Sequence, residues 1–218
     1  MSGKYMAYVG SYSYTGKAKG ITVFDVDVEN GMFKERCEIE VDNSSYVIAS
    51  SDGKTLYSIA DEGVVSFRIL PNGSLARLNS SSIRGMRGCH LCTDEEDKYV
   101  FVSGYHDGKT TVLNLNPDGS VGKIVDGVFD RGYGSVAERN FRPHVTCTRR
   151  MPDNRFVLSV DNGIDQVKIY RFNDKEQKLV QVDAIRCDLE SAPRHFRYSK
   201  DGKFIYLMYE LKKAIEVY

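Results

Sequence analysis

The chain has 218 residues, of which 41% are hydrophobic and 28% charged, and its 30 basic and 30 acidic side chains leave no formal net charge. This composition is that of an ordinary globular protein, and the balanced charge argues against nucleic-acid binding, which needs a basic surface. The sequence contains no apolar run of membrane-spanning length and no apolar signal core near its start, so it predicts a cytosolic protein.

The chain opens with three predicted strands, YMAYVGSY (5–12), GITVFDVD (20–27) and FKERCEIEV (33–41). One phrase then recurs four times, a turn rich in Asp, Gly or Asn followed by Lys or Arg and a strand. Its copies are SSDGKTLYSIADEG (50–63), DEEDKYVFVSGYHDG (94–108), MPDNRFVLSVDNG (151–163) and SKDGKFIYLMYEL (199–211). Alignment of Gly53, Asp97, Asn154 and Gly202 gives spacings of 44, 57 and 48 residues. Small polar residues and glycine supply the positive φ of a tight hairpin turn.

Each copy has a short inner strand before it and another strand after it. The inner strands are SYVIAS (45–50), CHLCTD (89–94), PHVTCTR (143–149) and RHFRYS (194–199). A fainter fourth strand precedes the next copy in most units. Four strands in each unit are typical of an all-β fold, the β-propeller, whereas a sandwich would not repeat a four-strand phrase in fixed order. No convincing helix is predicted, and the nearest candidate is AERN (137–140).

The two ends of the chain differ from the middle. The first unit lacks an inner strand, and the last unit stops within a strand at Tyr218. We therefore predict one propeller domain over residues 1–218, with about four and a half blades present and truncation at the C-terminus. Two open sheet edges predict self-association. A small propeller closed by dimerisation is the alternative.

Five cysteines, at positions 37, 89, 92, 147 and 187, fit reduced and mostly buried thiols. Cys89 and Cys92 form a CxxC pattern, but residues three apart on a strand point to opposite faces. No second pair accompanies them, so we predict strand packing rather than metal or redox chemistry. The four histidines would converge on a metal only in a narrow channel, so no metal or cofactor is predicted.

One mouth of the predicted channel gathers charged side chains. Inner strands line the channel of a propeller, and each following antiparallel strand returns to the rim where the inner strand began. The inner strands begin at Tyr46, His90, His144, and Arg194 with His195. The following strands end at Asp61 and Glu62, Tyr105 and His106, Asp161 and Asn162, and Tyr209 and Glu210. Three histidines thus take equivalent inner-strand positions. Neighbours on a strand point to opposite faces, so we predict that Arg194 faces the channel and that His195 packs.

These stretches carry a family resemblance. YVGSYSYTGKAKGITVFDVD (8–27) looks like the opening of the lactonase propellers, the family of the propeller-type 6-phosphogluconolactonases and the fungal carboxy-muconate lactonizing enzyme. The four later units resemble that family's blades in order, with the His-bearing inner strands and PRHF followed by YEL as the most specific features. The resemblance implies a seven-bladed ring, of which roughly two and a half blades would lie outside this chain.

The resemblance also implies site residues. His144, Arg194 and Glu210 match the proposed active-site His, Arg and Glu of the muconate-type member. We therefore predict His144 as general base, Arg194 as a bidentate partner for an anion or a developing oxyanion, and Glu210 as an orienting or acid–base group. The further residues predicted to contact substrate are His90, Arg142, Tyr46 and Tyr105. A structural ion pair lining a polar channel is the alternative reading.

Four functions remain open on the sequence. The first is hydrolysis of a sugar lactone such as 6-phosphogluconolactone, and the second is a cycloisomerase acting on a carboxylated muconate, for which the same residues would serve. A non-enzymatic interaction propeller and an inactive fragment are the others. The sequence contains no GxSxG, GxxxxGK[ST], HExxH or GxGxxG motif, which favours a water-activating lactonase over a serine esterase.

Overall fold

A computed structural model describes residues 5–135 and 140–218. These residues form five antiparallel sheets, numbered here in chain order. Sheet 1 contains β1 (Tyr5–Gly10), β2 (Gly20–Asp27) and β3 (Met32–Glu40). Sheet 2 contains β4 (Val47–Ala49), β5 (Thr55–Ala60), β6 (Gly63–Ile69) and β7 (Leu75–Ser82). Sheet 3 contains β8 (His90–Thr93), β9 (Tyr99–Gly104), β10 (Lys109–Leu115) and β11 (Val121–Phe129). Sheet 4 contains β12 (Val145–Arg150), β13 (Val157–Asp161), β14 (Gln166–Asn173) and β15 (Lys178–Arg186). Sheet 5 contains β16 (Pro193–Tyr198), β17 (Ile205–Tyr209) and β18 (Ile215–Val217).

The all-β propeller is confirmed, but the blade count is corrected. Three sheets have four strands and the two terminal sheets have three, so the described residues form five blades rather than four and a half. The edge strands β4, β8, β12 and β16 contact one another in sequence, which makes them the inner strands. Residues 137–139 of the AERN stretch lie outside the described residues. Within the described part of the chain, no helix is long and apolar enough to cross a membrane.

The repeated turn explains why the sheets recur. All four aligned turn residues take positive φ, with values of 68° at Gly53, 50° at Asp97, 59° at Asn154 and 69° at Gly202. Glycine reaches this region without strain, and Asn and Asp tolerate it better than other residues. The turn therefore reverses the chain between the inner strand and the second strand of each blade, as the sequence predicted.

Apolar side chains fill the space between neighbouring sheets, and this packing ends at sheet 5. Strand β9 is buried along its whole length. Leu158 and Val160 of β13 pack against Phe196 and Leu207 of sheet 5. On the other face of β17, Tyr206 and Met208 are 42% and 41% exposed. Within the described residues, β18 pairs with β17 alone and β1 with β2 alone, which leaves two open sheet edges. Self-association through these edges remains a prediction.

Candidate functional site

Strand pairing divides the channel wall into layers. One residue of each inner strand pairs with the residue that takes the same place in its second strand, counted from the repeated turn. These four inner-strand residues are called the central ring. Its members are Tyr46, His90, Cys147 and His195, opposite Ile59, Ser103, Val160 and Met208. His144 lies three residues before Cys147 and therefore stands above this ring. The prediction that three histidines occupy equivalent positions is wrong for His144, because strand starts were compared instead of distances from the repeated turn.

A β-bulge changes the direction of the side chains at the start of β16. Pro193 pairs with Tyr209 and His195 pairs with Met208, so Arg194 is an extra residue in the ladder. A bulge interrupts the alternation of side chains and re-aims them. Arg194 and His195 consequently line one cavity of about 390 Å³, called the mouth here. The prediction that they cannot face the same space is wrong.

The remaining walls of the mouth come from four other inner-strand or strand-end segments. The side chains that complete it are Tyr12, Cys89, Tyr105, His106 and Thr146. Thr146 also donates its hydroxyl hydrogen to the Arg194 carbonyl oxygen at 2.7 Å, which ties β12 to β16 at the bulge. The mouth is therefore polar and aromatic, and it is built where adjacent inner strands meet.

The hairpin brings Arg194 and Glu210 together, as the sequence predicted. Arg194 Nη1 donates to Glu210 Oε2 at 2.6 Å, and the two side chains are 43% and 30% exposed. Asn162 Nδ2 donates to the same carboxylate oxygen at 3.4 Å. The backbone N–H of Asn162 donates to the His144 carbonyl oxygen at 2.9 Å. Asn162 thus links the ion pair to the strand that carries His144.

His144 is buried and firmly oriented. Its ring stacks on Tyr105 with 4.3 Å between ring centroids and 13° between ring planes. Nδ1 lies 2.6 Å from the Tyr105 carbonyl oxygen. Because a carbonyl oxygen only accepts, Nδ1 carries the proton and Nε2 keeps its lone pair. Burial lowers the pKa of His144, the bond to Tyr105 opposes this, and the positive charge of Arg142 lowers the pKa further. The neutral ring is the form that can act as a base.

A buried carboxyl pair supports His144 from below. The His144 backbone N–H donates to Asp161 Oδ1 at 2.8 Å, and Asp161 is fully buried. Burial first, and then the negative charge of Asp130, raise the pKa of Asp161 to about 8. Tyr170 donates its hydroxyl hydrogen to Asp130 Oδ1 at 2.7 Å. The raised pKa predicts that Asp161 keeps a proton at neutral pH and shares it with Asp130. Asp161 is buried and lies beneath the mouth rather than on its surface.

The other predicted site residues divide between the mouth and the layer below it. Tyr105 lines the mouth. His90 is fully buried, with its ring 4.7 Å from the Tyr46 ring and 5.5 Å from the His195 ring. Arg142 is exposed, and its guanidinium lies 5.7 Å from the Phe141 ring. His90 and Tyr46 therefore belong to the central ring, in the layer below His144.

One cluster has the composition of a metal site. The ligand atoms of His90, Cys147 and His195 lie within 4.8 Å of one another, so two of the histidines do converge. However, Arg149 Nη2 donates to His90 Nε2 at 3.1 Å, and Arg149 Nη1 donates to Cys92 Sγ at 3.7 Å. A guanidinium at this position repels a cation and occupies one of the nitrogen lone pairs. The cluster therefore fits a metal ion poorly.

Sequence reasoning missed His195, Cys147 and Arg149 as channel residues. The alignment of Asp97 with Asn154 already contains the signal for two of them. At that spacing of 57 residues, Cys147 falls on the position of His90 and Arg149 on that of Cys92. The spacing of 48 residues between Asn154 and Gly202 likewise places His195 on the position of Cys147, so the same alignment contains its signal.

Comparisons with known proteins agree on the fold. The model of the family described as Lactonase, 7-bladed beta-propeller matches residues 6–218. A 6-phosphogluconolactonase of Bacillus subtilis is 31% identical over 97% of this chain and 61% of its own length. A 6-phosphogluconolactonase of Formosa agariphila is 27% identical over 97% of this chain and 63% of its own length. The structure of the Pseudomonas aeruginosa periplasmic gluconolactonase PpgL superposes with a TM-score of 0.89 and 26% identity, over 97% of this chain and 63% of that one. The chain thus spans less than two thirds of the length of these relatives.

Proposed function

The chain belongs to the lactonase family of seven-bladed β-propellers, and from this premise we propose that it hydrolyses a sugar lactone, with 6-phosphogluconolactone as the first candidate. The observation that carries the proposal is the bulged hairpin, which holds Arg194 in the mouth and pairs it with Glu210 at 2.6 Å. A neutral, oriented His144 lies on the neighbouring inner strand, linked to that pair through Asn162. The names of the Bacillus subtilis and Formosa agariphila relatives point to the same substrate.

The proposed reaction uses water as the nucleophile. The water oxygen forms a bond to the lactone carbonyl carbon while His144 Nε2 takes a proton from the water. Arg194 donates to the oxygen that becomes negative, and Glu210 holds the guanidinium in place. The bond between the carbonyl carbon and the ring oxygen then breaks, and the imidazolium returns the proton to that ring oxygen. The product is the open hydroxy acid.

The remaining predicted residues have supporting roles in this proposal. Tyr105 forms a wall of the mouth and fixes the tautomer of His144 through its carbonyl oxygen. Arg142 adds positive charge near His144 and favours an anionic substrate at the rim. Tyr46 and His90 support the floor beneath the mouth through their ring contact. No metal or cofactor takes part in these steps.

We also propose that the intact ring has seven blades, of which the described residues supply five. The exposed face of sheet 5 supports this. Tyr206 and Met208 are 42% and 41% exposed, whereas Leu158 and Val160 at the same positions of sheet 4 are 3% and 0% exposed. A further blade would cover this face in the way that sheet 5 covers sheet 4.

The proposal is tested by measuring hydrolysis of freshly prepared 6-phosphogluconolactone by this chain. We expect turnover above the spontaneous rate, and we expect His144→Gln to lower kcat by about 100-fold or more, because the base is lost. Lys175→Gln, on an exposed turn of sheet 4, is the matched surface control and should keep full activity. An active His144→Gln variant would show that His144 is not the base. Conversion of a carboxylated muconate without lactone hydrolysis would favour the cycloisomerase.

A further inference from the structure

A second ring of side chains lies below the central ring, two residues further along each inner strand. We call it the lower ring, and its members are Ile48, Cys92, Arg149 and Arg197, opposite Tyr57, Phe101, Leu158 and Tyr206. Residues two apart on a strand share a face. Arg149 therefore lies on the same side of β12 as Cys147, and Arg197 on the same side of β16 as His195. Two neighbouring inner strands thus present an arginine at the same depth of the channel.

These two arginines have no acidic partner. Within residues 5–135 and 140–218, no carboxylate lies at ion-pair distance from Arg149 or from Arg197. The atoms that Arg149 does contact, His90 Nε2 and Cys92 Sγ, belong to neutral groups. Burial lowers the pKa of His90 and raises the pKa of Cys92, so both groups stay neutral. Neither therefore supplies the negative charge that would compensate the guanidinium. Arg149 is partly buried, and a partly buried cation without a counter-charge is costly, whereas Arg197 is exposed.

The same region holds an excess of hydrogen-bond donors. Because His90 Nε2 accepts from Arg149, the neutral ring carries its proton on Nδ1, and this buried N–H has no acceptor among the described residues. The buried Nε–H of Arg149 and the hydroxyl of Tyr198 also have no partner in the described part of the chain. Buried donors in native proteins are nearly always satisfied. What these donors require is an acceptor, and a guanidinium nearby favours one that is negatively charged.

A cavity of about 400 Å³ lies beside these groups. It is lined by Tyr46, His195 and Arg197 on the channel side and by residues of sheet 5 that include Tyr206 and Met208, on the face that a further blade would cover. Arg149 does not line this cavity but contacts His90, whose ring lies 5.5 Å from the His195 ring. Burial lowers the pKa of His195, and the positive charges of Arg194, Arg149 and Arg197 lower it further, so this ring lies near all three arginines. His195 also lines the mouth, so it stands between the mouth and this cavity.

We propose that Arg149, His195 and Arg197 form a phosphate-binding site inside the channel, below the mouth. A guanidinium offers a planar pair of N–H donors that matches two phosphate oxygens, and a dianion would neutralise both arginines. The ligand chemistry is a phosphate group, either free or carried by a sugar acid. The second possibility rests on the proposed function, since it places the phosphate of the lactone below its reacting ring.

Calorimetric titration with inorganic phosphate at low ionic strength tests the site directly. We expect binding to the unaltered chain, weakened about tenfold or more by Arg149→Gln and by Arg197→Gln, because each removes a charge-assisted hydrogen-bond donor. Arg171→Gln, an exposed arginine of β14, makes the same charge change elsewhere and should leave binding unchanged. Arg197 is exposed, so its variant keeps the test valid if Arg149→Gln is unstable.

Titration with 6-phosphogluconate and with gluconate separates the two sources of phosphate. Tighter binding of 6-phosphogluconate that is lost in Arg197→Gln, with gluconate binding unchanged, assigns the site to the substrate. Phosphate binding without that preference assigns it to the free ion. The proposal is overturned if phosphate does not bind, if Arg194→Gln abolishes binding while both lower-ring variants retain it, or if zinc binds there in its place. None of these results depends on hydrolysis, so failure of the site and failure of the lactonase proposal are distinguishable.

Discussion

The mouth and the lower ring carry the same residue type in opposite electrostatic settings. In the mouth, Arg194 pairs with Glu210 at 2.6 Å, and at the same rim Arg87 pairs with Asp61 at 2.9 Å. In the lower ring, Arg149 and Arg197 have no carboxylate partner within the described residues. An ion pair fixes an arginine in one orientation before substrate arrives, which suits the stabilisation of a developing charge. An arginine without a counter-ion suits the capture of a whole anion. The comparison therefore supports the proposal that reaction chemistry belongs to the mouth and anion recognition to the lower ring.

The largest expected effect is on catalysis, and it separates the two layers. Arg194→Gln should lower kcat for lactone hydrolysis by roughly 100- to 1000-fold, since it removes a charged donor to the developing oxyanion. Arg197→Gln should mainly raise KM for a phosphorylated lactone, because its contribution is the same in the ground state and the transition state. Steady-state kinetics of both variants beside Arg171→Gln provide the measurement. If Arg194→Gln and Arg197→Gln lowered kcat equally, the proposal that the mouth and the lower ring have different roles would be wrong.

The outcome for the two layers shows what the sequence could and could not predict. Arg194 and Glu210 were placed together correctly, because the SKDGK turn fixes the hairpin and needs only Gly202 in a positive-φ conformation. The direction of His195 was predicted wrongly, because alternation holds only for an unbroken ladder and the bulge at Arg194 breaks it. A bulge changes the register by one residue and leaves no mark in hydrophobic periodicity.

His144 illustrates a second limit. Its family role was inferred from the RPHV stretch, and the structure adds the contacts that orient it, to the Tyr105 carbonyl oxygen and to Asp161. The acidic support was not predicted, because Asp161 was counted as a mouth residue on strand direction alone. Its partner Asp130 comes just after β11 in another sheet. Contacts between blades of this kind depend on how the sheets stack, which short sequence phrases do not specify.

The next effect concerns stability of the layer below the mouth. His90→Leu should destabilise the fold by about 1–3 kcal/mol, because Arg149 would lose the acceptor of its buried Nη2–H. Denaturant unfolding measures this difference. The mouth contacts of Arg194 with Glu210 do not involve His90, so kcat should fall far less than in Arg194→Gln. Loss of kcat as large as that of Arg194→Gln, in a variant that remains folded, would instead place His90 in the reaction.

The smallest expected effect is a pH dependence of stability that arises beneath the mouth. Burial and mutual repulsion raise the pKa of Asp161 to about 8, from 3.8. The folded chain therefore keeps a proton that the unfolded chain has already lost between about pH 4 and pH 8. Stability from this pair is present at low pH and declines as the pH rises through that window, by at most about 1.4 kcal/mol per pH unit.

Asp130→Asn should reduce this decline, because it removes the negative charge beside Asp161 while the larger contribution of burial remains. The amide oxygen can still accept from Tyr170, and the amide N–H can donate to Asp161 at every pH, so no shared proton is needed. We expect the variant to be more stable than the unaltered chain at pH 8 by about 1 kcal/mol and to lose that advantage near pH 5. Thermal unfolding across this range, with Asp183→Asn on exposed β15 as control, measures the difference. Parallel pH profiles for Asp130→Asn and the unaltered chain would mean that the two carboxyl groups do not share a proton. In that case His144 would be supported by an ionised Asp161. That carboxylate would depend on a nearby opposite charge, just as Arg194 in the mouth above it depends on Glu210.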